Sequence, residues 1–483
     1  MARFQPAESF HSADDKLQLL PLRFERTGKH YLVSNIVGDF VRLSDDEMTR
    51  LVDLHVHPGD GLYEKAYAAH LITRTDQKSQ RQLLAMRLRS RMAYLRQPTP
   101  LHIFVVTLRC EHSCPYCQVS RKSTDRSKFD MSEETASRAL NIAFQSPSDR
   151  IKIEFQGGEP LLNFPLIKSI VLAAKMKGSA VGKKVGFVIA SNLALLDDAV
   201  LAFCKENNVF LSTSLDGPAD LHNKNRPRPG GNSHELATQG IRRAQVVLGS
   251  DRVGALMTTT EASLDRVEEI VDEYLRLDLD GIFIRPLSPY GFAVKTKAIR
   301  KYDSKGWLDF YAHGLRYILE INRSGRHFPE FYASLILKRM FADRPLGYVD
   351  LRSPAGIGLG ALVYNYDGKV FASDEGRMLA EMGDRTFELG SVTESYHSLV
   401  FSDKLLDLVG SSLTQCAPEC LDCVYEAHCG ADPVYHHATQ SDPVGIKPLS
   451  EFCARQKGIM NLLLGILEGP PQDAAILRRW GGM

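Results

Sequence analysis

Between residues 101 and 285, six short runs rich in β-branched and aromatic residues alternate with longer amphipathic stretches, and few folds accommodate that pattern. The runs are 101–108, 151–155, 185–190, 210–215, 253–258 and 281–285. Helices are predicted over 132–144, 165–176, 197–208, 234–248, 263–275 and 304–322. Ser132, with Glu134 and Thr135 behind it, reads as a capped helix start. Repeated strand–helix units imply an α/β protein in which a parallel sheet, wrapped by helices, curves into a full or partial barrel. In such folds functional groups collect at the carboxyl ends of the strands.

Directly after the first run come Cys110, Cys114 and Cys117, in the segment Cys-Glu-His-Ser-Cys-Pro-Tyr-Cys. Spacers of three and then two residues let three thiolates converge on one cubane cluster and leave its fourth iron without a protein ligand. Closed tetrahedral zinc wants four ligands, and no further Cys lies close by, so iron–sulfur fits this loop better than zinc or a set of buried thiols. At the end of the second run, Gly157 and Gly158 allow close backbone approach to a ligand, and Glu159 offers a carboxylate to a cationic group.

With 483 residues, 24% charged and 44% hydrophobic, the chain is long enough for two or three domains with proper cores. A net charge of +1 gives no electrostatic footprint for nucleic acid or for an acidic membrane surface. The opening residues 1–6 lack the apolar core of a signal peptide, and no stretch approaches a membrane span, so a cytoplasmic protein with no membrane partner is expected. Eight of the nine cysteines fall in two groups, which argues for metal binding in a reducing compartment rather than a disulfide framework. Cys204 stands alone in a helical segment and reads as a buried thiol.

The three-cysteine loop, with Tyr116 between its second and third cysteines, resembles that of radical S-adenosylmethionine (SAM) enzymes. The resemblance implies a [4Fe–4S] cluster on Cys110, Cys114 and Cys117, its open iron taking the amino and carboxylate groups of SAM. Gly157-Gly158-Glu159 is similar to the family motif that meets the SAM ammonium. By the same similarity Ser191 and Asn192 match positions near the ribose, Ser214 and Asp216 match polar groups around SAM, Arg226 faces the cofactor carboxylate, and Arg285 lies in the segment beside the adenine. Each of these alone also fits a turn or a helix cap.

The second cysteine group, Cys416, Cys420, Cys423, Cys429 and Cys453, would read as a zinc ribbon without that context. Within it, the group resembles the auxiliary cluster of the SPASM extension, which implies one auxiliary [4Fe–4S] cluster on Cys420, Cys423, Cys429 and Cys453. Cys416 is left as a spare thiol, a ligand in an altered arrangement or a substrate-handling group. The chain departs from the usual extension at its Tyr-Asn-Tyr-Asp-Gly hairpin, which Gly and Ser flank instead of Cys, so the first auxiliary cluster is expected to be missing. Asp374 matches a position that serves as a base in one branch of the family and reads equally as a solvated turn residue. His428, Tyr435, His436 and His437 are taken as packing or substrate-contact residues.

Ahead of the barrel, about residues 17–97 suggest a small three-stranded sheet followed by helices over 44–54 and 63–86, and 97–100 reads as a linker. The region resembles winged-helix modules that hold a leader peptide by adding a strand to a sheet edge; simple packing on the barrel is an equal alternative. The expected division is 1–97, 98–325 for a partial (β/α)6 radical SAM barrel, and 326–483 for a SPASM-like domain. Across nearly its whole length the chain looks most like the maturases of the His-Xaa-Ser peptide system. That implies a ribosomally made precursor peptide, an electron donor such as flavodoxin or ferredoxin, a second radical SAM protein as partner, and oxidative intramolecular crosslinking with a C–C bond favoured over a thioether. The alternatives are an anaerobic sulfatase-type maturase forming formylglycine and a non-catalytic zinc-bearing peptide-binding protein.

Overall fold

The computed structural model describes residues 17–75, 77–343, 346 and 348–483; residues 1–6, read above for a signal segment, lie outside the described residues. Six parallel strands lie in sequence order within one nine-stranded sheet: Leu101–Thr107, Arg150–Gly157, Lys184–Ala190, Val209–Ser214, Val253–Thr258 and Ile284–Arg285. The helices Glu133–Gln145, Phe164–Val181, Asp198–Asn207, Ser233–Leu248 and Val267–Arg276 return the chain between them. The first strand is buried on both faces from His102 to Thr107, as a strand covered on both sides must be. Cys204 is fully buried in the third of these helices, as its apolar setting suggests.

Two boundaries move from those the sequence suggests. The sixth strand shrinks from 281–285 to Ile284–Arg285 because the chain before it pairs elsewhere: Ile282 bridges to Glu330, and a Cβ on Gly281 would stand 2.6 Å from the Pro329 carbonyl oxygen. The helix expected from residue 263 begins at Val267, after a 3-10 turn that Thr260 and Ser263 cap reciprocally.

The sheet does not stop at the barrel. Ala361–Tyr364 runs parallel to the first strand, with Leu362 opposite His102 and Val363 opposite Ile103, and Lys369–Phe371 and Glu388–Ser391 follow antiparallel. The Tyr-Asn-Tyr-Asp-Gly hairpin turns at Gly368, whose φ of +80° suits glycine.

Leu22–Thr27, His30–Asn35 and Phe40–Leu43 form the expected three-stranded antiparallel sheet, followed by helix Asp45–Val52 with a Ser44–Glu47 capping box. The single helix expected over 63–86 is instead two helices, Gly61–Ala68 and Ser79–Arg91, separated by a strand. His70 turns the chain at φ +50°, and Ile72–Arg74 pairs antiparallel with Leu17–Leu19. No helix among the described residues is long and apolar enough to cross a membrane.

Candidate functional site

At the carboxyl ends of the barrel strands a chamber of about 290 Å³ is lined by Cys110, Cys114, Tyr116 and Cys117 on one side and by Gly157, Gly158, Ser191, Asn192, Ser214, Arg226, Thr258 and Arg285 on the other. Arg109 anchors the start of the cysteine loop: its guanidinium donates to both Asp130 oxygens at 2.7 and 2.8 Å and to the Leu162 carbonyl at 2.9 Å. The second strand crosses so close that a Cβ on Gly157 would fall 2.0 Å from the Thr107 oxygen, and one on Gly158 2.2 Å from the Arg109 oxygen. The paired glycines therefore seat the loop as well as open the chamber. At the other end of the loop, the Phe292 amide donates to the Cys117 carbonyl at 2.7 Å.

Not every residue expected at the cofactor stands on the chamber wall. Glu159 is fully buried behind it, accepting from the Ser191 hydroxyl at 2.8 Å, the Asn192 amide at 2.8 Å and the Leu161 amide at 3.0 Å. Its carboxylate lies at the strand ends and sets the Ser191 hydroxyl and the Asn192 amide. Burial, reinforced by Glu111, pushes it up to about 7. Asp216 is likewise occupied: Arg226 pairs with it at 3.0 Å, the Tyr116 hydroxyl donates to it, and the Arg226 guanidinium lies 5.4 Å from the Tyr116 ring centroid. Asp216 thus orients Arg226 and Tyr116.

The donor chemistry favours a cluster over zinc at both cysteine groups. With Zn–S near 2.3 Å, sulfurs around one zinc stand about 3.8 Å apart. Among the described residues the trio of ligand atoms drawn within 4.8 Å of one another is Cys110, Glu111 and His112, and no three cysteines meet that limit. The sulfurs are spread wider than one zinc ion would hold them, which suits the larger cube of an iron–sulfur cluster. His112 in that trio is already committed, to Glu111 at 2.9 Å and Ser233 at 2.7 Å. Burial pushes the Cys114 thiol up to about 12, while Arg226 pulls it the other way. A cationic cluster would supply the rest of the stabilisation a thiolate needs there.

In the second group, burial drives the Cys429 thiol up, with Cys423, Cys453 and Cys420 as charged neighbours, and pushes Cys420 up to about 11. Cys453 sits at the start of helix Glu451–Leu467, its amide donating to Ser450. Cys416 is exposed. The nearby imidazoles have structural partners: His428 the Gly38 carbonyl at 2.7 Å, His436 the Asp432 carbonyl and Ser450, and His437 Asp384.

The chamber continues inward into a second of about 250 Å³, and the two share Gln118, Glu154, Gln156, Leu256, Arg285, Asp374 and Met378. Asp374 is therefore no solvated turn residue. It opens helix Asp374–Ala380 and pairs with the buried Arg377 at 3.2 Å, whose guanidinium also donates to the Val119 carbonyl in the cysteine loop. Asp350, Glu375 and Asp432 line the inner chamber as well. None of these three, nor Glu154, stands out in the sequence, because each is an isolated acid in its own segment.

The buried groups give a signed pH dependence. Burial, helped by Asp350, raises Glu375 to about 8 and Asp432 to about 7, alongside Glu159. A carboxyl held above its unfolded value favours the folded state while protonated and loses that advantage as pH rises toward the folded value. Burial also lowers His102, His222 and His428 to about 3, which opposes this trend only below the unfolded imidazole value, near 6.5. The cluster-free chain is thus expected to lose stability between pH about 6.5 and about 8, read as a falling urea midpoint. Glu375→Gln should flatten that slope.

Residues 104–274 match the Radical SAM superfamily. An uncharacterized protein of Methanocaldococcus jannaschii is 30% identical over 189 residues, covering 39% of this chain and 62% of that protein. The cysteine-type anaerobic sulfatase-maturating enzyme of Clostridium perfringens is 27% identical over 136 residues, 27% of this chain and 36% of the enzyme. The chain thus spans less than two thirds of the length of these relatives. The fold is that of anSMEcpe with bound AdoMet, at TM-score 0.64 and 18% identity over 79% of this chain and 98% of that one. It is also that of Streptococcus suis SuiB bound to precursor peptide SuiA, at TM-score 0.53 and 14% identity over 89% and 98%. Residues 104–274, built around the cysteine loop and the strand ends that face it, thus match the model of a superfamily whose cofactors are a [4Fe–4S] cluster and SAM.

Proposed function

We propose that this chain modifies a ribosomally made precursor peptide by radical chemistry, joining side chains within the peptide oxidatively, with a C–C bond favoured over a thioether, as in the His-Xaa-Ser system. The observation that carries the reading is the continuity of the two chambers: residues suited to cluster and SAM line the outer one, and Asp374 stands on the wall of both. Cys110, Cys114 and Cys117 would hold the first cluster, and Cys420, Cys423, Cys429 and Cys453 an auxiliary one. When bound, cluster and SAM supply a carbon-centred oxidant that takes a hydrogen atom from a nearby C–H bond. The chain's part is to orient and to exclude water: Gly157 and Gly158 bring backbone to the ligand, Ser191, Asn192 and Ser214 offer polar groups to it, and Arg226 supplies a fixed positive charge.

Asp374 is assigned the proton released from the substrate, and the auxiliary cluster, when bound, would take the electron released with it. Asp374→Asn keeps the helix start and is expected to slow peptide modification about 10²- to 10³-fold while 5′-deoxyadenosine still forms without peptide.

The N-terminal sheet supports leader binding. Phe24, Tyr31, Met48 and Val52 line an open groove of about 500 Å³ beside strand Leu22–Thr27, with Phe24 53% exposed. Among the described residues strand Leu22–Thr27 pairs on one side only, with His30–Asn35, so its other edge suits an added strand.

The test is co-expression with the small peptide encoded nearby, followed by mass spectrometry. Loss of two hydrogens mapped to one residue pair supports crosslinking. Conversion of Ser or Cys to an aldehyde establishes instead the sulfatase-maturase reading, which the match to the Clostridium perfringens enzyme favours.

A further inference from the structure

One wall of the outer chamber is backed by a continuous line of polar side chains drawn from separate segments. Glu111 and His112 belong to the cysteine loop, Asn192 follows the third strand, Asp216 and His222 follow the fourth, and Ser233 opens helix Ser233–Leu248. His112, Asp216, His222 and Ser233 are buried, and His112 and Asn192 also stand on the chamber wall.

The hydrogen atoms along this line can be placed from its ends. The Asp216 amide can only donate, and it donates to His222 Nδ1 at 3.2 Å. With Nδ1 as acceptor, the hydrogen of His222 sits on Nε2 and is given to the Ser233 hydroxyl oxygen at 3.1 Å. That oxygen has His112 Nε2 as its other partner, at 2.7 Å, and the hydroxyl hydrogen goes there. His112 then carries its own hydrogen on Nδ1 and donates to Glu111 Oε1 at 2.9 Å, as a carboxylate oxygen requires. The same oxygen accepts from Asn192 Nδ2 at 2.8 Å, while Asn192 Oδ1 accepts from the Ala194 amide at 2.9 Å, which settles the way this side-chain amide faces. Asn192 Nδ2 and His112 Nδ1, 3.0 Å apart, are thus two donors brought together by one acceptor.

The line joins the two sides of the chamber. At one end Asp216 holds Arg226 and Tyr116; at the other, Glu111 follows Cys110 directly and holds the Asn192 side chain. A polar network out of water is costly unless its members are paired, and once paired it specifies one arrangement. We propose that Glu111 and His112 are positioning residues for SAM: through Ser233 and His222 they set the start of the cysteine loop and the Asn192 amide at a fixed spacing from Arg226. This rests on the outer chamber being the SAM site, and adds residues that hold its walls in register.

The test measures SAM binding to the anaerobically reconstituted full chain by equilibrium dialysis, with iron content and the EPR signal of the reduced cluster read on the same samples. His112→Asn places an amide donor where Nδ1 stands and keeps the bond to Glu111. His112→Gln places its amide where Nε2 stands, within reach of Ser233 and not of Glu111. With iron content held at that of the unaltered chain, His112→Asn is expected to weaken SAM binding by less than about threefold and His112→Gln by at least about tenfold. A packing role predicts the reverse order, since Gln is closer to His in volume. Equal losses, or a larger loss in His112→Asn, overturn the proposal. SAM should alter the EPR signal of the unaltered and His112→Asn proteins at concentrations that leave that of His112→Gln unchanged. Glu111→Ala is expected to cost about as much as His112→Gln, and the two together less than about twofold more than either; fully additive losses overturn the line as one unit. Should His112→Gln fail to take up iron, Ser233→Ala carries the test, because the Ser233 side chain caps no helix. A SAM affinity weakened about threefold supports the proposal, and an unchanged one overturns it. Failure of the unaltered chain to bind SAM defeats the assignment of the chamber itself, whereas SAM binding that none of these substitutions alters defeats the positioning role alone.

Discussion

Anaerobically reconstituted Cys114→Ala protein is expected to carry about four irons per chain where the unaltered chain carries about eight, and to form no detectable 5′-deoxyadenosine. Three thiolates are the minimum for this kind of cluster, and the substitution removes the one set against Arg226 on the chamber wall. Nothing nearby can replace it: His112 is committed to Glu111 and Ser233, and Glu111 also receives a hydrogen bond from Asn192. The matching change in the second group, Cys420→Ala, should lower iron similarly but leave SAM cleavage in place, because those sulfurs lie outside the chamber. Iron and sulfide analysis together with chromatography of the nucleoside product separate the two outcomes. SAM cleavage at the unaltered rate by Cys114→Ala protein would show that the cluster sits elsewhere.

The second large effect is one of stability, at the junction between the N-terminal sheet and the second cysteine group. Arg23, on strand Leu22–Thr27, pairs with Glu426 at 3.1 Å, with side chains 9% and 1% exposed. Glu426 also accepts from Thr414 at 2.5 Å and Gln415 at 2.7 Å, and the Arg23 guanidinium donates to the Leu421 carbonyl at 2.7 Å. Ser34 reaches the Val424 carbonyl, and Arg91 the Ala427 carbonyl. The loop that carries Cys423 is thus gripped by residues far earlier in the chain. Arg23→Ala leaves Glu426 buried and unpaired, and is expected to cost about 3–5 kcal/mol. Urea unfolding should report that loss, with iron released from the second group before the first. The double variant Arg23→Met, Glu426→Gln, which removes both charges, should recover most of the stability; if it is as unstable as Arg23→Ala, the loss comes from packing and not from the stranded charge.

The barrel was legible because its signal is local. Each of the first five strands is a β-branched run bounded by turn residues, and the observed ends fall within two residues of the expected ones. The cysteine loop was equally plain, since its spacing is fixed by chemistry. What escaped the sequence depends on contacts between distant segments. The helix expected over 63–86 has helical composition, yet tertiary pairing of Ile72–Arg74 with Leu17–Leu19 outweighs it. The motif of Glu159 is plain in the sequence, but its bonds to the Ser191 hydroxyl and to the Asn192 and Leu161 amides are not, because they join separate segments. The acids of the inner chamber come from the second strand, the segment before the hairpin, helix Asp374–Ala380 and the start of helix Pro433–Gln440. Only the folded chain assembles them.

The parallel pairing of Ala361–Tyr364 with the first barrel strand limits how this protein can be taken apart. A fragment ending before residue 361 would bare a row of backbone donors and acceptors along Leu101–Thr107, on a strand whose side chains are almost entirely buried. Such an edge recruits copies of itself and drives aggregation. Any attempt to graft this catalytic half onto another scaffold must therefore carry the hairpin with it as a covering strand.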